Sequence, residues 1–443
     1  MSKYLKSIIA VVFVVALMLN GISLALAQEQ ITITIQDYFD PGSGMARFVG
    51  RVAQEFEEKY PHVQINHVYI PFAELLPTIL RQAVTGTLPE MIMADNPWIP
   101  SLIAAGVYKD ISPQMREWGW ENWEDFFPGH RALTSVDDQI YALQITTNNL
   151  ALWYRRNLLD KAGVADPPAT WDELRMVSEK IKEATGVYSL GFCATASEEG
   201  SWQFQPFLWS NRGSLLELDQ PEAIEALQLL TDLVEGGYTP RDVVTVAGQG
   251  DVTQWFMAEE VAMMINGNWE FGWHLTPDVL EELGDVEVAP IPVPREGMRP
   301  ITPFGGEAYG IGAGIAPEKL DITWEILQRL ASPEGMLQAN IEHGGLPTRA
   351  SVAEIIREQR PALAPFLAQA PYALPRPMVG GVEKYPDVSS TLWTAIQKAL
   401  TGIATPEEAL TEAAQTIRGL FTPEEYEYYK QMARDLISAA LGQ

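Results

Sequence analysis

The chain has 443 residues, with 30 Lys plus Arg against 58 Asp plus Glu, one Cys and 13 Trp. At about 150 residues per domain it has room for two or three domains, and 47% hydrophobic with 20% charged residues is a globular composition. The formal net charge of −28 argues against nucleic acid, which needs a basic footprint, and against anionic lipid. A single Cys excludes a disulfide framework and a Cys-rich zinc site.

Residues 1–27 read as a secretory signal. Lys3 and Lys6 give a positive start, and Ile8 to Leu19 is an unbroken apolar run of 12. A spanning helix needs about 20. Ala25-Leu26-Ala27 is a small-x-small cleavage site, so cleavage is expected after Ala27; the rival is an uncleaved anchor. The mature chain would have 416 residues and, having lost two lysines, a charge of −30. No Cys follows the apolar run, so the protein is not expected to be a lipoprotein. No later run reaches spanning length, so no stable membrane insertion is expected after cleavage. These features lean toward a soluble periplasmic protein.

Ile31-Thr32-Ile33-Thr34-Ile35 alternates with period two and predicts a strand. Met45, Phe48, Val49, Val52 and Phe56 recur at helical spacing over 44–60, and Pro61 ends that helix. Val63 to Val68 predicts a second strand, 72–85 a helix and 88–94 a turn with a short buried strand. The order β-α-β-α-β points to an open α/β sheet. Further on, helices are marked by their starts: Thr170 to Glu173, Thr405 to Glu408 and Thr422 to Glu425 are capping boxes, the last two with Pro at the first helical position. Asp219-Gln220-Pro221-Glu222 opens another helix. Val286 to Val288 predicts a strand, and the final hundred residues are almost all helical. No Gly/Ser linker separates domains, so any lobes must be joined by short ordered crossings.

The usual catalytic signatures are missing. There is no H-E-x-x-H, no G-x-S-x-G elbow and no P-loop. Gly310-x-Gly312-x-Gly314 fails as a dinucleotide fingerprint and reads as a closely packed strand. His62 and His67 would face opposite sides of a strand, so no metal site is expected there. Ser43, in Gly42-Ser43-Gly44, is a turn or ligand-contact residue. Neither a catalytic group, a metal nor a cofactor is assigned, although 58 acids leave carboxylate pairing of the glycosidase kind open.

What remains is a set of aromatic and polar residues at strand ends. Asp37-Tyr38 follows the first strand and Asp95-Asn96-Pro97-Trp98 the third, where ligands of open α/β sheets sit. Asn148-Asn149, Trp202, Trp209 and Asn268-Trp269 punctuate the middle of the chain. Such residues suit a sugar: a ring stacks on the apolar face of a pyranose, and Asp, Asn, Glu and Arg hold its hydroxyls. Trp171, Trp324 and Trp393, on helices, read as core. For Trp98, Trp209 and Trp269, core and ligand contact are both open.

At this point the sequence resembles the extracellular solute-binding proteins of family 1, the maltose-binding-protein-like sugar receptors of ABC importers. The resemblance runs through Asn148 to Val164, Pro167 to Leu174, Ala262 to Trp269, Gly305-Gly306-Glu307 with Ser332-Pro333-Glu334, and Gly345 to Arg349, in family order. The family often has Pro-Trp where this chain has Asn268-Trp269. The resemblance implies an α/β, two-lobed periplasmic-binding-protein fold of type II. Each lobe is then an open mixed sheet flanked by helices, with the ligand cleft between them. It implies a first lobe of 28–144 and 302–334 and a second of 145–301 and 335–443, with crossings near 142–148, 300–305 and 332–336. Hinge bending would close the cleft. Carried over residue by residue, the cleft would receive Asp37, Tyr38, Asp95, Asn148, Trp269, Gly305, Gly306, Glu307 and Arg349, beside Ser43, Trp98, Asn149, Trp202, Trp209 and Asn268.

The expected function is capture of a mono- or oligosaccharide and its delivery to the transmembrane subunits of an ABC permease, without catalysis and as a monomer. Two rivals stand beside it. One is the same fold holding a polyamine or another small polar solute, paired through Asp37, Asp95 and Glu307. The other is a secreted carboxylate-dependent glycoside hydrolase.

Overall fold

The computed structural model describes residues 30–442; the expected signal at 1–27 lies outside them. Strand β1 (Ile31–Asp37) buries Ile33 and Ile35 and leaves Thr32 exposed, as period-two alternation requires. The helix Gly44–Lys59 buries Met45, Phe48, Val49, Val52 and Phe56 on one stripe and returns the chain to β2 (Val63–Tyr69), parallel to β1. The helix Phe72–Thr85 makes the next crossover, to β3 (Met91–Asp95), which lies parallel on the other side of β1. β4 (Ala142–Gln144) ends this first pass through the sheet.

The chain then enters a second sheet. β5 (Leu150–Arg155), β6 (Tyr188–Gly191), β7 (Val261–Gly267) and β8 (Val286–Ala289) assemble in the order β8-β5-β7-β6. β5 and β7 are buried along their whole length, as expected of strands covered on both faces. β9 (Glu307–Ile311) goes back to the first sheet and inserts antiparallel between β3 and β4, giving the order β2-β1-β3-β9-β4. Gly310 sits so close to Tyr108 that a Cβ there would lie 2.3 Å from its ring, which is the close packing read from the Gly-x-Gly-x-Gly stretch. The three expected capping boxes are all formed, at Thr170/Glu173, Thr405/Glu408 and Thr422/Glu425. The last two open the helices Pro406–Arg418 and Pro423–Leu441, which cover the second sheet's lobe with Tyr385–Leu400.

Three segments pass between the lobes side by side. Thr147 bridges Leu346, and Asn148 bridges Gly305, both antiparallel. Gly306 has φ +114°, and a Cβ there would lie 2.1 Å from the Thr146 carbonyl oxygen, so only glycine fits. The third crossing is expected near 332–336, but Ser332 instead caps the helix Pro333–His343, which packs on Gly44–Lys59. That segment pairs with the first crossing at Leu346, and Ser332-Pro333 starts a second helix on the same lobe rather than leaving it.

Arg349 anchors the end of this third segment. It is 1% exposed; its Nε donates to Asp125 Oδ2 at 2.8 Å, and its guanidinium also bonds the carbonyl oxygens of Ala331 and Asn122. The Asp125 carboxyl is held below its usual range by Ser351 and Arg349 donors, against the effect of burial. Without Arg349 the carbonyls of Ala331 and Asn122 lose their donor, and Asp125 is left with Ser351 alone. Arg349→Ala is therefore expected to destabilise the fold by about 3–5 kcal/mol, read as a lower denaturant midpoint, with Arg349→Lys recovering only part because the fork is lost.

Candidate ligand site between the lobes

The first sheet brings its carboxyls together by register. β9 runs antiparallel to β3 with Glu307 opposite Asp95, so the start of one strand and the end of the other share a rim. Tyr38, just past β1, donates its hydroxyl to Glu307 Oε1 at 2.6 Å. Thr146, on the first crossing, donates to Glu307 Oε2. The second lobe offers the first turns of the helix Glu198–Ser210, which carry Glu198, Glu199 and Trp202, together with Trp269 and Trp273 beyond β7. These residues, with Asn148 of the crossing, surround a cleft of about 190 Å³.

Arg376 occupies the seam. Its Nη2 donates to Asp95 Oδ1 at 3.0 Å and to Asn96 Oδ1 at 2.8 Å, and its Nη1 donates to Glu198 Oε1 at 2.6 Å. The guanidinium also lies 4.3 Å from the Trp202 ring centre, a cation–π distance. Glu198 is further held by the hydroxyls of Tyr385 and Ser389. One cation thus joins a carboxylate of each lobe.

Burial dominates the electrostatics. It pushes the Glu307 carboxyl up to about 7, against the two hydroxyls that donate to it, and the Asp95 carboxyl up to about 6, against Arg376. Glu199 is raised for the same reason. Burial pushes the His343 imidazole down to about 4, which keeps it neutral. Trp202 Nε1, Trp273 Nε1 and His343 Nδ1 are buried without a protein partner among the described residues.

Six of the residues picked from the sequence line this cleft: Tyr38, Asp95, Asn148, Trp202, Trp269 and Glu307. Gly305 lies directly beneath, where a Cβ would crowd Asn148, Trp202 and Arg376, and Gly306 shapes the crossing. The others are placed elsewhere. Asp37 is fully buried in the sheet, accepting from Tyr309 and bonding His67. Ser43 caps the helix Gly44–Lys59 through Ala46 N. Trp98 packs behind the cleft against Phe72, with ring centres 5.2 Å apart. Asn149 and Asn268 hold backbone: Asn268 accepts from Asn149 N and donates to Gly344 O, while Asn149 donates to Phe366 O. Trp209 has no exposed surface and belongs to the second core, because it lies on the buried helix Glu198–Ser210 rather than in a loop. Arg349 points into the first lobe, onto Asp125.

The sequence did not point to Arg376, Glu198, Glu199, Asp40, Tyr69, Phe72, Gln249, Trp273 or His343, which also line the cleft. Arg376 reaches the seam because Leu374-Pro375 pairs with Pro303-Phe304, a long-range contact with no local signature. Glu198 and Glu199 follow Ser197, whose hydroxyl caps Glu199 N, and their position looks like an ordinary acidic first turn.

The raised carboxyls have a consequence for stability. Glu307 binds its proton more tightly in the folded chain, so its contribution is full below its ordinary value near 4.5 and is lost as pH rises through about 7. Glu307→Gln is therefore expected to raise the melting temperature of the ligand-free protein, relative to the parent, more at pH 8 than at pH 5.5 in a calorimetric pH series.

Comparison with known proteins agrees with this architecture. Residues 51–365 match the bacterial extracellular solute-binding protein family. A binding protein of Brucella abortus is 26% identical over 90% of this chain and 96% of its own length. Maltose-bound MalE3 of T. maritima superposes with a TM-score of 0.79 at 26% identity, covering 88% of this chain and 100% of that one. An ABC transporter solute-binding protein of Thermotoga lettingae, bound with α-D-tagatose, gives 0.78 at 26% identity over 88% and 99%. The fold is that of the maltose-binding-like periplasmic binding proteins, and the chain belongs to the bacterial extracellular solute-binding protein family.

Proposed function

We propose that this protein is the receptor of an ABC importer, capturing a small carbohydrate in the interlobe cleft and delivering it to the permease's transmembrane subunits. The observation that carries the reading is the makeup of the cleft walls. Trp269, Trp273 and Tyr38 supply ring faces, and Asp95, Glu307 and Asn148 supply hydroxyl partners, from both lobes at once. A ligand that touches both lobes favours the closed arrangement by its differential contacts, with bending at the three crossings. The solved relatives bound to maltose and to tagatose support a sugar as the solute. At about 190 Å³ the cleft is below the roughly 300–1,000 Å³ of drug-sized pockets, which favours one or two rings over a long chain. In this reading the protein works outside the inner membrane after cleavage behind Ala27, and it binds without turnover.

The test is titration calorimetry of residues 28–443 with mono- and disaccharides, followed by chromatography of the recovered sugar. One sugar class should bind and return unchanged. Absence of heat with every sugar would remove the reading, and a cleaved product would convert it to hydrolysis. Trp273→Ala is expected to weaken sugar binding by roughly 1–3 kcal/mol, the scale of one lost aromatic contact. Trp209→Ala should leave affinity unchanged while costing about 3–5 kcal/mol of stability. Comparing calorimetric affinity with denaturant midpoints for the two variants checks both.

A further inference from the structure

We infer that the cleft prefers a carbohydrate carrying a protonated amine, a cationic amino sugar, over the neutral sugar of the same ring. The inference rests on the carbohydrate reading and narrows it. Among the described residues, five carboxyl side chains line the cleft: Asp40, Asp95, Glu198, Glu199 and Glu307. Arg376 is the one Lys or Arg there, and it is already shared between Asp95 and Glu198. Glu307 accepts the hydroxyls of Tyr38 and Thr146 and has no cation of its own among the hydrogen bonds it makes. Glu199 receives both of its hydrogen bonds, from Gln249 N and Nε2, on Oε1 alone. Asp40 takes the Gly42 amide. The cleft therefore sets five carboxyl groups against one guanidinium at the boundary between lobes, where burial and neighbouring carboxyls make Asp95, Glu199 and Glu307 hold their protons more tightly. A neutral sugar leaves these carboxyls inclined to stay protonated, whereas an ammonium favours their charged form and gains charge-assisted hydrogen bonds and the attraction of nearby ring faces.

The carboxyls do not converge as metal ligands among the described residues, and spermidine in the titration set separates a simple polyamine from an amino sugar.

The experiment is titration calorimetry of residues 28–443 near pH 6.5 with matched pairs: glucosamine and glucose, galactosamine and galactose, the β-1,4 glucosamine dimer and cellobiose. The N-acetyl form of each amine and spermidine complete the set. In at least one pair the amine should bind about tenfold tighter than its neutral partner, and N-acetylation should erase the gain. Glu199→Gln should shrink the amine-to-neutral ratio, and Glu307→Gln should do the same if the first variant folds poorly. Neutral sugars binding as well as or better than their amines in every pair would overturn the inference and leave the sugar receptor standing. Spermidine binding with no sugar bound, or no binding by any member, would overturn both.

Discussion

A guanidinium buried between two carboxylates from different lobes is costly to desolvate and costlier to break. Arg376 has that position, with Asp95 on one side, Glu198 on the other and Trp202 beneath it. Taking either carboxylate away leaves a buried charge short of its partner. The relative placement of the lobes is therefore tied to charge pairing as well as to shape. Around this point the remaining groups fall into two layers: Tyr385 and Ser389 fix Glu198 from behind, and Tyr38 and Thr146 fix Glu307 in front. The cleft is held ready before any ligand arrives, which lowers the ordering cost of binding.

The crossings solve a related problem. Backbone that passes between two bodies must satisfy its polar groups without bulky side chains blocking the passage. The Gln144 amide donates to the Gly305 and Thr146 carbonyls, and Thr147 donates to Gly305 O. Gly305 and Gly306 keep the space clear for Asn148 and Arg376. Asn268 ties the first crossing to the third by bonding Asn149 N and Gly344 O. Motion at this place can bend three paired segments together but cannot slide one past another without breaking these bonds.

What could be read from the sequence was what local physics determines. Alternation placed β1 and β2, and helical spacing placed Gly44–Lys59. Thr-x-x-Glu placed three helix starts to the residue. Strand ends gave Tyr38 and Asp95, because a ligand-facing end of an open sheet is a topological position that chain order reveals. The same rule overreached at Asp37, which is turned inward by the strand's own alternation and is satisfied by Tyr309 and His67. Arg349 and Asn268 share residue types with ligand contacts but serve backbone and ion-pair roles that only tertiary neighbours reveal. Arg376 and Trp273 lie where long-range pairing carries them, so no window of sequence marks them.

β9 lies between β3 and β4, in the interior of the first sheet, although residues 96–306, including every strand of the second sheet, separate it from β3. The helix that backs Gly44–Lys59 comes later still, at Pro333–His343. A chain emerging N-terminus first from a ribosome therefore exposes a sheet with the place between β3 and β4 unfilled until most of its length is out. Contacts of such sequence separation form slowly, and the early segments cannot bury their apolar faces alone. Discontinuous lobes thus delay tertiary structure until the polypeptide is nearly complete.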